Sequence, residues 1–483
     1  MTRPMAGIGA MSHASELKFD VAILGGGSAG FAAAIRAAEL GARVALLEGG
    51  TLGGTCVNVG CVPSKTLIRA AETRHRRTQH PFDGIPKNDG APDWAAVRAQ
   101  KDLLVSSLRQ SKYANVLRAY DSVSLIEQRA AIVARGTLHL ADGRTVSAGK
   151  LIVTTGAASW APPIPGLAEA SALDSTSAMA LDRLPVSLIV IGGSAVGVEL
   201  AQMFARLGVP VTILEALPRL VPAEDPDLGD ALADYLRAEG LGIHTGVSIT
   251  QVASNQDGRS VTYVDQNGAP HSARAEQILV ATGRRANASG LGLEALGVQL
   301  GGKGEIVVDE FLATADPDVY AAGDVIGGPM FVYVAAYAGG VAAENALTGH
   351  ANRYDLAAVP NVTFSDPGVA SVGLTEERAR QLGIAPLVSK LALEHVPRAL
   401  AARDTRGFVK LVADAGSRKI IGAHILAAEA GEMIMEPALA IRHGLTIEDL
   451  TSAFHPYLTL SEGLKLAAQT FSRDVSTLSC CAA

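Results

Sequence analysis

Two pairs of cysteines are the residues of this 483-residue chain that could do redox or metal chemistry. Cys56 and Cys61 stand five positions apart, and a regular helix would turn their side chains away from each other. Gly54 and Gly60 allow the irregular backbone that bringing the two sulfurs together requires. A dithiol on such a turn can cycle between disulfide and dithiol, because its thiolate exchanges with other sulfurs. The alternative is a pair of buried core thiols.

The second pair, Cys480 and Cys481, consists of neighbours in the sequence. Adjacent Cα atoms lie about 3.8 Å apart, which is below the usual disulfide range of roughly 4.4–6.8 Å. Vicinal thiols on a terminal tail therefore suit a soft, thiophilic metal ion better than a structural bridge. The alternative is a pair of cysteines that stands there by chance.

Composition and charge exclude several classes of protein. The formal net charge is −7 and the pI about 5.9, so the chain lacks the basic excess of a general nucleic-acid binder. No apolar run reaches the roughly 18 to 20 residues that cross a bilayer, so we expect no membrane protein. Residues 1–17 indicate a loose tail rather than an export signal. With only four cysteines, a cytoplasmic protein with redox or metal-binding thiols is predicted.

A glycine-rich turn near the start of the chain predicts a dinucleotide site. A buried strand over Phe19–Leu24 leads into Gly25-Gly26-Gly27-Ser28-Ala29-Gly30, a helix over Phe31–Leu40 and a second strand that ends at Glu48. In such a βαβ unit the first glycine permits the turn, the second lets backbone N–H groups approach a pyrophosphate, and the third lets helix and strand pack closely. Glu48 stands where it could accept hydrogen bonds from a ribose.

The same pattern returns in the middle of the chain. A strand over Leu188–Ile191 leads into a turn from Gly192 to Gly197, a helix over Val198–Leu207 and a strand that ends at Glu215. Ser194 replaces the central glycine and is small enough to be tolerated. Two such units imply two dinucleotides, and a tightly held flavin with an exchangeable nicotinamide cofactor is the usual pairing.

Three further turns follow apolar strands and end in the candidate residues Gly156, Gly283 and Asp324. Asp324 is placed to meet a polar group of a cofactor, although a plain turn aspartate is the alternative. From about Ala357 the pattern changes to shorter alternating strands and two helical stretches, which predicts a separate C-terminal domain. At roughly 150 residues per domain the length suggests three domains.

The chain resembles the flavin-dependent pyridine nucleotide–disulfide oxidoreductases over residues 18–475. The motifs that carry the resemblance are Gly25–Gly30, Gly53–Lys65, Gly192–Gly197, Ala281–Arg285, Ala321–Asp324 and Thr459-Leu460-Ser461-Glu462. Within that family it is most similar to the mercuric reductases, through the segments Leu458–Gln469, Phe331–Ala336 and Leu478–Cys481.

The resemblance implies an α/β fold with two Rossmann-like dinucleotide-binding domains and a C-terminal α+β dimerisation domain. The implied divisions are a flexible tail over 1–17, an FAD-binding domain over 18–160 and 286–352, an NAD(P)-binding domain over 161–285, and a dimerisation domain over 353–483. It also implies FAD, with NADPH as the second cofactor and NADH as the alternative. An obligate homodimer follows, in which the tail and Tyr457 reach into the active site of the partner subunit.

The resemblance further implies which residues form the site. The candidate cofactor-binding residues are Gly25, Gly27, Gly30, Glu48, Gly54, Thr55, Lys65, Gly156, Gly192, Gly197, Glu215, Gly283 and Asp324. The candidate catalytic residues are Cys56, Cys61, Tyr457, Lys65 and Glu199. Lys65 is expected near the flavin and paired with Glu199; the alternative is a solvated helix lysine.

The implied activity is reduction of thiolate-bound Hg(II) to elemental mercury. The metal-binding candidates are Cys56, Cys61, Cys480 and Cys481. The nicotinamide passes hydride to the flavin, which reduces the disulfide between Cys56 and Cys61. The resemblance implies that Cys61 lies against the flavin and that Cys56 is the exposed interchange thiol. The terminal pair collects Hg(II) and hands it inward by ligand exchange.

Departures from the family pattern bear on this hypothesis. Relatives that reduce disulfides carry a catalytic histidine where this chain has Tyr457, and His455 stands two residues early. That difference argues against the alternative, a dihydrolipoamide dehydrogenase-like disulfide reductase. A second alternative, a non-catalytic thiol protein that sequesters metal, conflicts with two intact nucleotide turns. Ala172 replaces a family tyrosine, and the CxxC metal-carrier domain of some members is missing.

The second cofactor is where residues and resemblance disagree. A carboxylate at Glu215 favours the free 2′-hydroxyl of NADH and repels a 2′-phosphate. Mercuric reductases generally use NADPH, and Arg219 could help to bind a phosphate. The resemblance favours NADPH and the residue favours NADH; we expect NADPH, with NADH as the alternative.

Overall fold

The structure is a computed structural model that describes residues 16–256, 258–349 and 352–478. Strand β1 begins at Glu16, so the last two residues of the segment assigned to the N-terminal tail belong to a strand, and the rest of it lies outside the described residues. Within the described residues, no helix is both long enough and apolar enough to cross a bilayer.

The strands are β1 (Glu16–Leu24), β2 (Val44–Leu47), β3 (Val123–Ile126), β4 (Ala130–Ala134), β5 (Thr137–Leu140), β6 (Thr145–Val153), β7 (Ala157–Ser159), β8 (Leu188–Ile191), β9 (Val211–Glu215), β10 (Gly242–Thr245), β11 (Ser248–Asn255), β12 (Gly258–Val264), β13 (Pro270–Ala275), β14 (Gln277–Val280), β15 (Arg284–Ala286), β16 (Val319–Ala321), β17 (Asn361–Thr363), β18 (Gly368–Gly373), β19 (Pro386–Ala392), β20 (Phe408–Asp414) and β21 (Ile420–Ala427).

The α-helices are α1 (Ser28–Glu39), α2 (Gly54–Val59), α3 (Cys61–Gln79), α4 (Trp94–Arg109), α5 (Asn115–Leu117), α6 (Ser175–Met179), α7 (Ala195–Arg206), α8 (Pro226–Ala238), α9 (Val332–Thr348), α10 (Glu376–Gln381), α11 (Pro397–Ala402), α12 (Ala430–Met433), α13 (Met435–His443), α14 (Ile447–Ser452) and α15 (Glu462–Gln469). A π-helical turn spans Gln110–Ala114, and short 3₁₀ turns span Leu293–Leu296, Gly323–Ile326, Leu393–His395 and Val475–Thr477.

The chain divides into two compact units, of which the first contains the first glycine turn. It comprises the described parts of Met1–Asn58, Leu104–Ala158 and Arg284–Tyr354. Its sheet has the order β3-β2-β1-β6-β5-β4, with β16 also paired to β6, and the strands β3, β2, β1, β6 and β16 run parallel. Alternate residues of β1 enter two different apolar clusters, so both faces of the strand are buried. This explains why its last four residues, Val21–Leu24, are continuously apolar.

The second unit contains the second glycine turn and the C-terminal domain. It comprises the described parts of Val59–Leu103, Ser159–Gly283 and Asp355–Ala483. A parallel sheet with the order β10-β9-β8-β14 is joined by the antiparallel meander β11-β12-β13. The C-terminal part is a five-stranded antiparallel sheet with the order β17-β18-β21-β20-β19, covered by helices. The predicted α/β fold with an α+β C-terminal part is confirmed, whereas the division into three domains stays a prediction.

Both nucleotide-turn helices begin three residues earlier than the sequence pattern predicts. Helix α1 starts at Ser28 and α7 starts at Ala195, whereas the pattern placed their starts at Phe31 and Val198. The last glycine of each turn, Gly30 or Gly197, therefore lies inside the first helical turn. The backbone can pack closely at these positions because they carry no side chain.

A row of polar side chains crosses the C-terminal sheet. One residue from each strand stands in the same register, namely Asn361, Ser371, His424, Lys410 and Lys390. Carboxylates at the start of α8 face this row: Asp225 lies 2.9 Å from the Lys410 ammonium, and Asp227 lies 3.1 Å from the ammonium groups of both Lys410 and Lys390. These ion pairs hold the start of α8 against the sheet.

The imidazole of His424 is the unusual member of this polar row. It is 2 % exposed, and its Nε2 lies 3.1 Å from the Leu374 carbonyl oxygen, which can only accept a hydrogen bond. Its Nδ1 is buried and has no hydrogen-bond partner among the described residues. Burial lowers the pKa of His424, and Lys410 acts in the same direction; the hydrogen bond to Leu374 and the carboxylates of Asp225 and Asp227 oppose this shift.

We expect the stability of this unit to fall as the pH drops below about 6.5, the pKa of a histidine in an unfolded chain. Below that pH the unfolded chain binds a proton at His424 that the folded chain resists, so the free energy of unfolding decreases. One such group gives a slope of at most about 1.4 kcal/mol per pH unit. Urea unfolding at about pH 7.5 and pH 5.5 measures the loss. His424→Gln keeps an N–H donor and does not titrate, so it should lose less stability; an equal loss would contradict the explanation.

Candidate active site

The first glycine turn is built around the carboxylate of Glu48. Gly25 has φ +106°, in the region that favours glycine. Glu48 Oε2 accepts the Gly26 N–H at 2.7 Å, and Oε1 accepts the Gly50 N–H at 2.6 Å. Within the described residues, no side chain caps the N-terminus of α1. An uncapped helix start after a glycine turn fits a pyrophosphate, so the residues present fit a dinucleotide such as FAD.

The second glycine turn repeats this arrangement. Gly192 has φ +109°, Glu215 Oε2 accepts the Gly193 N–H at 2.5 Å, and Oε1 accepts the Leu217 N–H at 2.7 Å. The start of α7 is likewise uncapped by any described side chain, because Ser194 at that position makes no capping bond. This turn therefore also fits a dinucleotide, and the substitution of serine for the central glycine has not changed its geometry.

The cysteine motif lies on two helices separated by one glycine. Cys56 lies within α2 and Cys61 is the first residue of α3; Gly60 between them has φ −120° and ψ −108°, which is not helical. Both cysteines are partly buried. The irregular backbone predicted between them is therefore present at Gly60, so the two sulfurs are not constrained to a regular helical step.

Helix α2 starts against the first glycine turn. Gly54 has φ +60°, and a Cβ atom there would lie 2.7 Å from the Gly27 Cα. The Asn58 amide donates to the carbonyl oxygens of Leu52 at 3.0 Å and Gly54 at 2.9 Å, and Arg109 donates to Asn58 Oδ1 at 3.2 Å. These contacts place Cys56 beside the turn that fits FAD.

The predicted pairing of Lys65 with Glu199 is present. Lys65 Nζ lies 2.7 Å from Glu199 Oε2, and the Glu199 side chain is only 6 % exposed. Phe364 contacts both partners: its N–H donates to Glu199 Oε1 at 2.9 Å, and its ring centroid lies 4.5 Å from the Lys65 ammonium. A cation over an aromatic face is attracted by the ring quadrupole. Lys65 is therefore held by an ion pair and an aromatic ring, whereas its place near the flavin stays a prediction.

Lys65 also shares a helix face with Cys61. The two residues stand four positions apart on α3, a spacing that puts side chains on the same face, roughly 5–6 Å apart at their Cβ atoms. Helix α3 packs against α7, which carries Glu199. One ion pair thus joins helix α3, which begins at Cys61, to helix α7, which follows the second glycine turn.

The side chain of Asp324 is partly buried, and Arg284 is the cation beside it. Burial raises the pKa of the Asp324 carboxyl, and Arg284, whose Nε lies 4.0 Å away, opposes that shift. The same guanidinium donates to the Ala157 carbonyl oxygen and lies 3.5 Å from Thr55 Oγ1. Arg284 therefore joins three of the predicted motifs within the first unit. Gly156 and Gly283 each have positive φ and face open space among the described residues.

Two residues of this site were missed by the sequence predictions. Arg284 follows the assigned Gly283 directly, so its place in that motif was the signal that could have found it. Phe364 stands at the end of a short strand, and nothing in the sequence pattern links it to Lys65 or Glu199.

The histidine of the loop that carries Tyr457, His455, is bound to a glutamate on helix α13. His455 Nε2 lies 2.7 Å from Glu436 Oε1, and its side chain is 5 % exposed. The hydrogen bond to Glu436 raises the pKa of His455. Tyr457 itself is 57 % exposed, and Leu458 next to it has φ +62°. His455 therefore does not take the place of the histidine that Tyr457 replaces.

The terminal pair Cys480 and Cys481 lies outside the described residues. Among the residues that the structure does describe, no group of three or more histidine, cysteine or acidic side chains is arranged to hold a metal ion. Ala172 is partly buried against an apolar cluster of the second unit. A role for the four cysteines in binding a metal thus stays a prediction.

Two sequence profiles of one family cover most of the chain. The profile of the pyridine nucleotide-disulphide oxidoreductases matches residues 19–339, and the profile of the dimerisation domain of the same family matches residues 359–468. Together they span both glycine turns, the cysteine motif and the C-terminal sheet. FAD and a nicotinamide dinucleotide are the cofactors of such an enzyme, in agreement with the two turns.

Individual relatives agree with these profiles. The chain is 46% identical to the mercuric reductase of Staphylococcus aureus, over 96% of this chain and 84% of that protein. It is also 46% identical to the mercuric reductase of Streptomyces lividans, over 96% of this chain and 98% of that protein. Among solved structures, the Cu(II) complex of the HOCl-induced flavoprotein disulfide reductase RclA from Escherichia coli matches with a TM-score of 0.83 and 30% identity, over 94% of this chain and 99% of that one. The chain belongs to the pyridine nucleotide-disulphide oxidoreductase family, and within it is similar over nearly its whole length to the mercuric reductases.

Proposed function

We propose that this protein reduces thiolate-bound Hg(II) to elemental mercury, with electrons from NAD(P)H. The observation that carries the proposal is the residue at the position where disulfide reductases have their acid–base histidine. Tyr457 stands there, and His455 is held by Glu436. A dithiol-reducing enzyme needs a group to protonate the leaving thiolate, whereas a metal ion needs only thiolates and electrons.

The cofactors are held by the residues of the two glycine turns. FAD is assigned to the turn with Gly25, Gly27, Gly30 and Glu48, together with Thr55 and Asp324, and the nicotinamide dinucleotide to the turn with Gly192, Gly197 and Glu215. When bound, FAD supplies two-electron chemistry between a hydride donor and a dithiol. The chain contributes the uncapped starts of α1 and α7, which favour the negative charge of pyrophosphates.

Lys65 prepares Cys61 for this chemistry. Glu199 and Phe364 fix its ammonium group on the helix face that carries Cys61. A fixed positive charge near a thiol favours the thiolate, which is the form that attacks a disulfide and binds a soft metal. Lys65 and Glu199 thus act as the electrostatic support of the inner cysteine.

Each Hg(II) ion that is reduced consumes one molecule of NAD(P)H. Hg(II) is held by two thiolates, those of Cys56 and Cys61, and it takes up the electron pair of one hydride equivalent to become Hg(0). NAD(P)H is oxidised to NAD(P)⁺ and a proton is released. The uncharged metal atom has little affinity for thiolate and leaves, so the two thiolates are free to accept the next ion.

We infer that the enzyme works as a homodimer in the cytoplasm. The C-terminal part exposes a set of large apolar side chains, namely Met435, Leu439, Leu445, Phe454, Tyr457 and Leu458. Exposed apolar side chains concentrated in one domain are typical of an interface, and the profile of a dimerisation domain covers this segment. The small number of cysteines supports a reducing compartment.

Replacing Cys480 and Cys481 together with alanine should reduce mercury turnover by on the order of tenfold or more when external thiol is limiting, because tethered ligands deliver the ion at a high effective concentration. Reduction of the flavin by the nicotinamide should be unchanged, since these residues take no part in it. Stopped-flow absorbance of the flavin and the rate of mercury release measure the two steps. Equal mercury turnover in the variant and the parent would refute the handover.

Mercury turnover also separates this proposal from a dihydrolipoamide dehydrogenase-like activity. The purified, yellow protein is supplied with NADH or NADPH and with either Hg(II) in excess thiol or an oxidised dithiol. We expect rapid oxidation of the nucleotide with Hg(II) and slow oxidation with the disulfide, because Tyr457 cannot replace the histidine as a proton donor. The opposite ranking of the two substrates would favour the disulfide reductase.

A further inference from the structure

The two glycine turns hold their carboxylates in the same way, although their sequences differ. In each turn one carboxylate oxygen accepts an N–H 22 residues earlier, from Gly26 or Gly193. The other oxygen accepts an N–H two residues later, from Gly50 or Leu217. Glu48 and Glu215 are thus fixed in matching orientations at the ends of equivalent strands.

This arrangement has a consequence for the ribose that each turn accepts. A carboxylate oxygen can accept more than one hydrogen bond, so each glutamate keeps acceptor capacity for a pair of ribose hydroxyls. A free 2′-hydroxyl donates such a bond. A 2′-phosphate has no comparable donor. It also carries a charge of about −1.5 to −2, which would lie next to the Glu215 carboxylate, a residue that is only 7 % exposed. Like charges brought together in this way repel each other and disfavour the phosphorylated ribose.

The first turn shows which kind of ribose this arrangement of the glutamate accepts. The dinucleotide assigned to it, FAD, has an adenosine ribose with a free 2′-hydroxyl. Since Glu215 repeats the geometry of Glu48, the second turn is built for a ribose of the same kind. We propose that Glu215 makes the second site select NADH over NADPH, an inference that rests on the proposed function for the role of that site. It departs from the NADPH preference that the resemblance favours.

Arg219 is the residue that could oppose this selection. It follows Glu215 by four positions, and its Nε is buried without a hydrogen-bond partner among the described residues. The same Nε lies 3.8 Å from Asp230 Oδ1, so a carboxylate stands beside this cation. Glu215, Arg219 and Asp230 together carry one net negative charge, which disfavours a phosphate and leaves a neutral diol unaffected.

The test is the binding of ADP-ribose and of 2′-phospho-ADP-ribose to the flavin-containing protein, measured by calorimetry. Neither probe can donate a hydride, so the result is independent of mercury turnover. We expect the parent to bind ADP-ribose at least about tenfold more tightly, since repulsion of about 1.4 kcal/mol gives that factor. Glu215→Gln should lose most of this ratio, whereas Arg219→Ala should leave the affinity for ADP-ribose unchanged.

Two controls keep the outcome interpretable. The flavin content and visible spectrum of Glu215→Gln show whether the variant has folded, and the ratio measured on the parent tests the proposal even if it has not. Tighter binding of 2′-phospho-ADP-ribose by the parent, lost in Arg219→Ala, would overturn the proposal. A protein that prefers ADP-ribose but releases no mercury would instead refute the proposed function and leave the nucleotide selection standing.

Discussion

Cys61→Ser is expected to abolish mercury-dependent oxidation of the nicotinamide, with a loss on the order of 10³-fold or more. Serine is close to cysteine in size, and Cys61 begins α3 at a partly buried position, so the fold should tolerate the exchange. The hydroxyl cannot form a disulfide with Cys56, and it does not supply the thiolate that Hg(II) requires. Both the electron transfer to sulfur and the binding of the substrate are therefore lost.

The half-reactions separate this effect from a damaged fold. Reduction of the flavin by the nicotinamide should persist in Cys61→Ser, because neither glycine turn is altered. Stopped-flow absorbance measures that step, and release of mercury vapour measures the complete reaction. Cys56→Ser provides the matched variant within the same motif and should lose turnover as well. Retention of more than about a tenth of the parental mercury turnover in either variant would contradict the dithiol mechanism.

Gly30→Ala is expected to yield a destabilised protein that retains little flavin. A Cβ atom at this position would lie 1.8 Å from the Gly25 carbonyl oxygen and 2.7 Å from Thr154 Oγ1. Helix α1 would have to move away from the turn, and with it the N–H groups that face the pyrophosphate. Overpacking of a tight contact costs roughly 1–3 kcal/mol and occasionally more.

Helix α9 offers the matched control, because a Cβ atom at Gly340 meets no described atom within 4 Å. Gly340→Ala should therefore leave stability unchanged or raise it by roughly 0.4–1 kcal/mol, since alanine lowers the entropy of the unfolded chain. Thermal unfolding and the ratio of flavin to protein absorbance compare the two variants. If both variants retain flavin and melt at the same temperature, close packing at Gly30 is not required for the turn to bind flavin.

Much of the fold could be predicted because its signals are local. The glycine spacing, the apolar strands before it and the glutamate after it lie within one βαβ unit, so the pattern of neighbouring residues is sufficient. The predicted starts of α1 and α7 were wrong by three residues, because the small residues at the end of each turn already belong to the helix and an apolar pattern does not mark them. The break in the helix at Gly60 was predicted for the same local reason.

The contacts that support the site could not be predicted in this way. Phe364 meets Glu199 across 165 positions of sequence, and Arg284 meets Thr55 across 229 positions. Periodicity carries no information on such distant neighbours. The pairing of Lys65 with Glu199 was predicted only through the resemblance to a family. The polar row around His424 was not predicted, because its members come from five separate strands.

The most direct test is a count of mercury atoms released for each nicotinamide oxidised. Purified flavoprotein is given Hg(II) in excess thiol without oxygen, and volatile mercury is trapped while the absorbance of NADH or NADPH is followed. The dithiol mechanism predicts one atom of Hg(0) for each molecule of nucleotide, with no turnover in Cys61→Ser. Oxidation of the nucleotide without release of mercury, or equal release from Cys61→Ser, would contradict it.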